Sequence, residues 1–246
     1  MTIESVSSLP RTWEIPAKIR GRVSDRAGRQ RAIFEDGHLL LVLHHPPQPG
    51  ERQRRGRYFW RKPDGVWTVH DGSSGPGSLA EHLQQYGEAV HRFDLQEERA
   101  EGASAYFDVI DGVVPLVRAT HNLYQVLQEA RRLVPDDRRL ISARDQAYEL
   151  SRTAELLQAA AKNGLEFEIA RRAEEEAESS RQMARSAYRL NILAALFFPL
   201  ATITSVLGIN LNGPWGTFPM LAAIITAGLL TGLLLAWAIT RPGKTD

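Results

Sequence analysis

Residues 190–240 read LNILAALFFPLATITSVLGINLNGPWGTFPMLAAIITAGLLTGLLLAWAIT, and none of these 51 positions is Asp, Glu, Lys, Arg or His. The averages of the 246-residue chain, 43% hydrophobic with a formal net charge of +1, would suit a soluble protein. The distribution does not, because a soluble domain must spread polar groups over its surface and does not segregate charge so completely. The stretch divides at 208–216, where Gly208, Asn210, Asn212, Gly213, Pro214 and Gly216 make a turn-rich interval. The flanking segments, 190–207 and 218–240, each approach the roughly 20 residues that cross ~30 Å of hydrocarbon. The interval is too short for a domain, so the two segments are expected to form a hairpin across a lipid bilayer.

Basic residues set the orientation. Arg181, Arg185 and Arg189 precede the first segment, Arg241 and Lys244 follow the second, and the interval carries no charge. The excess of cations on the cytoplasmic side of membrane helices then places both ends of the chain in the cytoplasm, as a multi-pass protein of the inner (plasma) membrane. Trp215 and Trp237 suit the outer and inner interfaces. The first residues, 1–13, contain no apolar core of a cleaved signal peptide. The absence of cysteine fits a cytoplasmic bulk.

Working outward, residues 1–16 read as an irregular N-terminal segment and 17–137 as a cytoplasmic domain. Within it, 17–71 reads as a sheet. Residues 18–23 are expected as a weak strand, and 31–35 and 39–44 as strands joined by Asp36-Gly37, a two-residue hairpin signal. Strands at 57–61 and 66–70 flank the turn Lys62-Pro63-Asp64-Gly65. Helices follow over 78–134. Ser78 with Glu81 makes a capping box at the start of the first, and Pro115 is expected to kink or bound the second. Pro135-Asp136-Asp137 opens a third helix, 138–207, which would be about 105 Å long at 1.5 Å per residue. The expected layout then closes with an outer loop at 208–217, a second span at 218–240 and a tail at 241–246. The fold class is α+β: a small N-terminal sheet packed with helices, then one very long helix continuing into the first of two C-terminal transmembrane helices. A helix of that length needs partner helices, and identical subunits are the simplest source.

The membrane-proximal half of this helix carries a seven-residue repeat. Ala173, Ala177, Ser180, Ala184, Ala187, Asn191, Ala194, Phe198, Ala201 and Ser205 follow steps of four and three, and all but Asn191 and Phe198 are Ala or Ser. A seam of small residues buries little apolar area. It fits very close helix contact or a stripe facing a narrow aqueous path.

The segment ending in Gly208-Ile209-Asn210, with Pro199 preceded by Phe198 in mid-helix, resembles the first transmembrane helix of the CorA family of divalent-cation channels. That family ends this helix with Gly-Met-Asn, so Ile209 stands where the family has Met. The resemblance is most specific over about 60 C-terminal residues and only architectural over 1–135. It implies a homopentamer with a ring of Gly208 and Asn210, together with Ile209, as the outer filter. It implies a pore lined by Ser205, Ala201, Phe198, Ala194, Asn191, Ala187 and Ala184, with Phe198 as the narrowest point and Pro199 as the kink. It also implies Mg2+ or another divalent cation as the transported ion, moving by passive electrodiffusion, with no organic cofactor. The family's outer loop usually carries a Pro-Glu pair, whereas 211–219 contains no acid, which weakens cation attraction at the mouth.

The resemblance further implies divalent ions bound between cytoplasmic domains, for which Asp108, Asp111, Asp136 and Asp137 are the candidates. The default reading of Asp136 and Asp137 is as helix-start residues. The acidic run Glu174 to Glu176 with Glu178 lies among Arg171, Arg172, Arg181 and Arg185, where pairing along a solvated helix is the default. The densest basic patch, Arg52, Arg54, Arg55 and Arg57 with Arg61 and Lys62, interleaves Tyr58, Phe59 and Trp60. It would take a nucleotide, nucleic acid or anionic lipid, or serve as a hydrophilic hairpin edge. No nucleophile–base pair, phosphate-cradling glycine loop or dinucleotide fingerprint is present, so an enzyme is not expected. The readings that follow are a divalent-cation channel or, alternatively, a membrane effector gated by an anionic ligand on the basic domain, or a non-conducting scaffold.

Overall fold

A computed structural model describes residues 9–24, 28–48, 54–70, 78–207 and 217–240. The chain divides into two compact units, Met1–Ala170 and Arg171–Asp246. The division falls inside a helix rather than at residue 137, because the first turns of that helix are built into the core of the first unit.

In the first unit, a short helix α1 (Ala17–Arg20) precedes four strands, β1 (Arg31–Glu35), β2 (His38–His44), β3 (Gly56–Arg61) and β4 (Trp67–His70). They form an antiparallel sheet in the order β1-β2-β3-β4. The strand expected at 18–23 is therefore α1. Pro16 supplies the φ of −50° that precedes it, and Ile19 is fully buried, so one helical turn plugs the sheet instead of extending it. Asp36 and Gly37 turn the β1–β2 hairpin with φ of 50° and 80°, the left-handed pair a two-residue loop requires.

β2 explains the two-sided core. Leu39, Leu40, Leu41, Val42 and Leu43 are all fully buried, an uninterrupted apolar run of the kind found in strands covered on both faces. On one face Leu39, Leu41, Leu43 and Phe59 pack under the helices. On the other, Leu40, Val42, Tyr58 and Trp60 meet Leu9, Trp13, Ile15 and Ile19. The segment before residue 16 is thus a second layer wherever it is described, with the Trp13 and Trp60 rings 5.5 Å apart.

The helical layer consists of α2 (Leu79–Glu98), α3 (Gly102–Leu133) and the start of α4 (Arg138–Leu207). The capping box of Ser78 and Glu81 is present at α2. α3 contains Pro115 as one helix, not two. Leu140, Ala143, Ala147, Ala154, Leu157 and Ala161 of α4 are buried at steps of three, four and seven, the stripe that joins α4 to α3 and the sheet. Gly164 has a reason invisible in the sequence: a Cβ there would collide with the ring of Tyr106 on α3.

The second unit holds α4 from Arg171 onward and α5 (Thr217–Thr240). Between Arg171 and Asn191 every side chain is exposed in the single chain. Among the described residues, no helix is long and apolar enough to cross a membrane.

Candidate functional site

The C-terminal helix pair is built around glycine. Gly228 and Gly232 are buried positions of α5, four residues apart and therefore on one face. At Gly232 an added Cβ would lie 3.0 Å from Leu196 Cα and 3.2 Å from its carbonyl oxygen, so α4 and α5 touch backbone to backbone. Gly-x-x-x-Gly is the sequence signal of such close approach. The sequence carries it at 228–232, a signal separate from the small-residue seam on α4.

This contact orients α4. Ile192, Ala195, Leu196 and Pro199 are half-buried and share the face toward α5. At 100° per residue, Phe198 lies about 160° around the helix from Leu196, and Ala201 and Ser205 lie about 140° and 180° away. Accordingly Phe198 is 71% exposed, and Ala184, Ala187, Asn191, Ala201 and Ser205 are exposed as well, while Ala194 is half-buried. The seam therefore faces away from α5. At Pro199 the helix loses a backbone donor, and nearby the Thr202 hydroxyl donates 2.8 Å to the Phe198 carbonyl. Gly208, Ile209 and Asn210 lie outside the described residues.

The carboxylates expected to bind metal are not gathered within one chain. Asp108 and Asp111 are exposed on α3, more than 20 residues or about 35 Å along the helix from its C-terminal end. Asp136 is exposed just before α4. Asp137 is the N-cap of α4: its carboxylate accepts from the Arg139 backbone N–H at 2.9 Å. The same carboxylate accepts from Arg61 Nε at 2.6 Å and Trp67 Nε1 at 3.3 Å, tying β3 and β4 to α4. Burial opposes its charge, but these donors and the Arg61 charge outweigh burial and hold Asp137 below the usual carboxylate range. Among the described residues, no group of three or more His, Asp or Glu is placed to hold a metal ion. Arg171 and Glu175 pair at 2.6 Å, the i,i+4 arrangement of a solvated helix.

The basic patch is divided by the fold. β3 is an inner strand, so it is not a hairpin edge. Arg54 and Arg55 are exposed, Arg52 lies outside the described residues, and Arg57 is only 3% exposed, reaching Gln85 of α2 at 3.4 Å. Lys62 Nζ sits 5.2 Å from the Trp60 ring centre. Beside Arg57, His82 is fully buried among the rings of Phe59 and Tyr86, and neither of its ring nitrogens has a hydrogen-bond partner. Burial, reinforced by the charges of Arg57, His45 and His44, pushes its pKa down to about 3. The imidazole is a neutral packing group.

An α+β unit is thus followed by a pair of helices that touch backbone to backbone at Gly232 and Leu196. The chain belongs to the CorA-like Mg2+ transporter family: the family's model matches residues 77–241, about two thirds of its length. Among solved structures it is similar to the full-length CmaX protein, with 16% identity over 87% of this chain and 77% of that one, at a TM-score of 0.49. It is also similar to the complete CorA magnesium transporter of Methanocaldococcus jannaschii, with 11% identity over 90% of this chain and 81% of that one, at a TM-score of 0.45. No curated protein sequence matches it.

Proposed function

We propose that this chain is a homopentameric channel of the inner membrane that passes divalent cations, Mg2+ foremost, with both termini in the cytoplasm. The observation that carries the reading is the orientation of α4. Its small-residue seam is exposed on the face opposite the Gly232 contact, where fivefold packing of α4 would line a central path, leaving α5 toward lipid. The described side chains alone give no membrane-length apolar run, but the full sequence of α5 does. Its 24 residues contain no charged side chain and extend about 36 Å at 1.5 Å per residue, against a hydrocarbon core of ~30 Å.

In this reading Gly208 carbonyls and Asn210 amides ring the outer mouth. Mg2+ holds its octahedral water shell tightly, so neutral amide oxygens would accept hydrogen bonds from the hydrated ion without stripping it. Selection then acts on hydrated size and charge. Phe198 narrows the path and gates by dewetting. The membrane potential drives entry with about 4.6 kcal/mol per divalent ion per 100 mV, twice the value for one elementary charge.

The test is Mg2+ uptake into sealed proteoliposomes carrying an internal Mg2+-sensitive dye, comparing wild type with Asn210→Ala. Strong wild-type uptake that changes in the variant supports the filter. No uptake from an intact oligomer sinks the channel reading and favours the second one, in which the hairpin answers a ligand bound to the cytoplasmic domain. The acid-free stretch 211–219 is the observation that keeps that second reading in view.

A further inference from the structure

Between the sheet, α2 and the first turns of α4 lies a cavity of about 540 Å³. Its floor is apolar, made by Phe59, Trp67 and Val69 of the sheet with Leu79 and Leu83 of α2. Its rim on α4 is formed by Arg138 and Arg139. Among the described residues neither guanidinium has an ion-pair or hydrogen-bond partner. Among the described residues, no carboxylate lines the cavity.

The placement of these arginines is locally unfavourable. They occupy the first two positions of α4, where the helix dipole presents its positive end, and the first turn of α4 contains no acid. Asp137, the nearest carboxylate on the other side, is already engaged by Arg61 and Trp67. Asp136 and Asp137 precede them at the helix start, but neither carboxylate forms an ion pair with Arg138 or Arg139 among the described residues, so both guanidiniums remain open to an anion at the cavity. The volume falls within the ~300–1,000 Å³ of small-molecule pockets, which typically combine an apolar lining with a few convergent polar groups.

We infer that this cavity binds a small organic acid with a flat apolar body, seated on Phe59 and Trp67 and held through its anionic group by Arg138 and Arg139. Either guanidinium matches a carboxylate, since each presents a planar fork of donors, and both line the cavity. The aromatic and aliphatic floor selects against inorganic anions, which gain nothing from it. The occupant bridges the sheet to the root of α4, adding a ligand-dependent tie beside the permanent one made by Arg61 and Asp137. This inference does not depend on the chain conducting ions.

The test uses the full chain in lipid nanodiscs and two probes of equal shape, naphthalene-2-carboxylate and its neutral amide, titrated by isothermal calorimetry. We expect saturable binding of the carboxylate and at least tenfold weaker binding of the amide. We expect at least a tenfold loss of carboxylate affinity in Arg138→Gln/Arg139→Gln, with no loss in Arg92→Gln on the exposed part of α2. Because Arg138 and Arg139 are exposed, the double variant keeps its core, and its unfolding midpoint checks this. Equal affinity for acid and amide, unchanged affinity in the double variant, or no saturable binding to the wild type would each overturn the inference. So would binding seen only after dilution to monomers, which would assign the cavity to a neighbouring copy of the chain.

Discussion

Gly232 of α5 lies against the backbone of Leu196 in α4, so close that a methyl group would stand 3.0 Å from the Leu196 Cα and 3.2 Å from its carbonyl oxygen. Neither of those atoms can move aside as a flexible side-chain end would. Gly232→Leu should therefore force α4 and α5 apart, at a cost of about 1–3 kcal/mol for overpacking. The expected outcome is a lower unfolding midpoint in detergent, whereas Leu233→Ala, at an exposed neighbouring position, leaves the midpoint near wild type.

Phe198 faces the opposite side of the same helix and is 71% exposed in the single chain. If it is the dewetting constriction, Phe198→Ala raises Mg2+ flux per oligomer several-fold without lowering the stability of the α4–α5 pair. Flux assays in liposomes and a thermal midpoint, run on the same preparation, separate the two effects. Unchanged flux in a conducting protein would remove Phe198 from the path.

Gly164 tests a position where helix propensity and packing disagree. Replacing a mid-helix glycine with alanine usually gains about 1 kcal/mol. Here the new Cβ meets the Tyr106 ring, and Gly164→Ala should be destabilising. Tyr106→Ala should be harmful alone but should make Gly164→Ala favourable again, a sign change that a double-mutant cycle measures directly.

The last two cases show which parts of the molecule could be read in advance. The seven-residue spacing of the seam is readable without coordinates, and the structure adds that most of its described members are exposed. The capping box of Ser78 and the Asp36-Gly37 turn were equally local, since each pattern is specified within four residues. Gly164, by contrast, has its reason 58 positions earlier, at Tyr106, beyond the reach of any local pattern. Residues 18–23 read as a strand because Ile19 alternates with polar neighbours. Only the existence of a second layer, from Leu9 to Ile15, makes a single helical turn the better cover. Arg57 looked like surface because arginine usually is. Its burial follows from β3 being an inner strand, a fact of topology that no window of sequence contains.

Arg61 and Asp137 make the most buried ion pair described, with side chains 16% and 9% exposed. Asp137 has a folded-state pKa below its unfolded value, so the pair contributes stability that is present above the unfolded pKa, about 3.9, and is lost as pH falls through the lower folded value. Asp137→Asn should cost about 1–3 kcal/mol at neutral pH, through the loss of charge-assisted hydrogen bonds and an unpaired Arg61. The difference from wild type should shrink in strong acid. Thermal unfolding from pH 7 to pH 2.5 provides the check.

His82 gives a separate pH signature. Its unfolded pKa is near 6.5 and its buried imidazole is pushed down to about 3, so only the unfolded chain gains a proton between these values. Stability from this group is complete above pH 6.5 and declines steadily as pH falls toward 3. His44, lowered chiefly by burial, acts in the same direction. His82→Leu should flatten the decline and, by removing two unsatisfied nitrogens, leave the protein more stable than wild type at pH 5. A pH-independent difference between the two proteins would contradict this.

The bare length of α4 from Arg171 to Asn191 has a consequence for the life of the protein in a cell. Its surface is mostly Ala, Glu, Arg and Ser, with every side chain open to solvent in one chain, so it lacks the tertiary packing from which helices in proteins draw most of their stability. On the oligomeric reading, only neighbouring copies cover it, so a newly made subunit carries a solvent-exposed segment of helix until its partners arrive. The helix would then double as a timer: copies that assemble promptly are shielded, and copies made in excess are degraded. Channel number would be set by subunit encounter in the membrane as much as by synthesis.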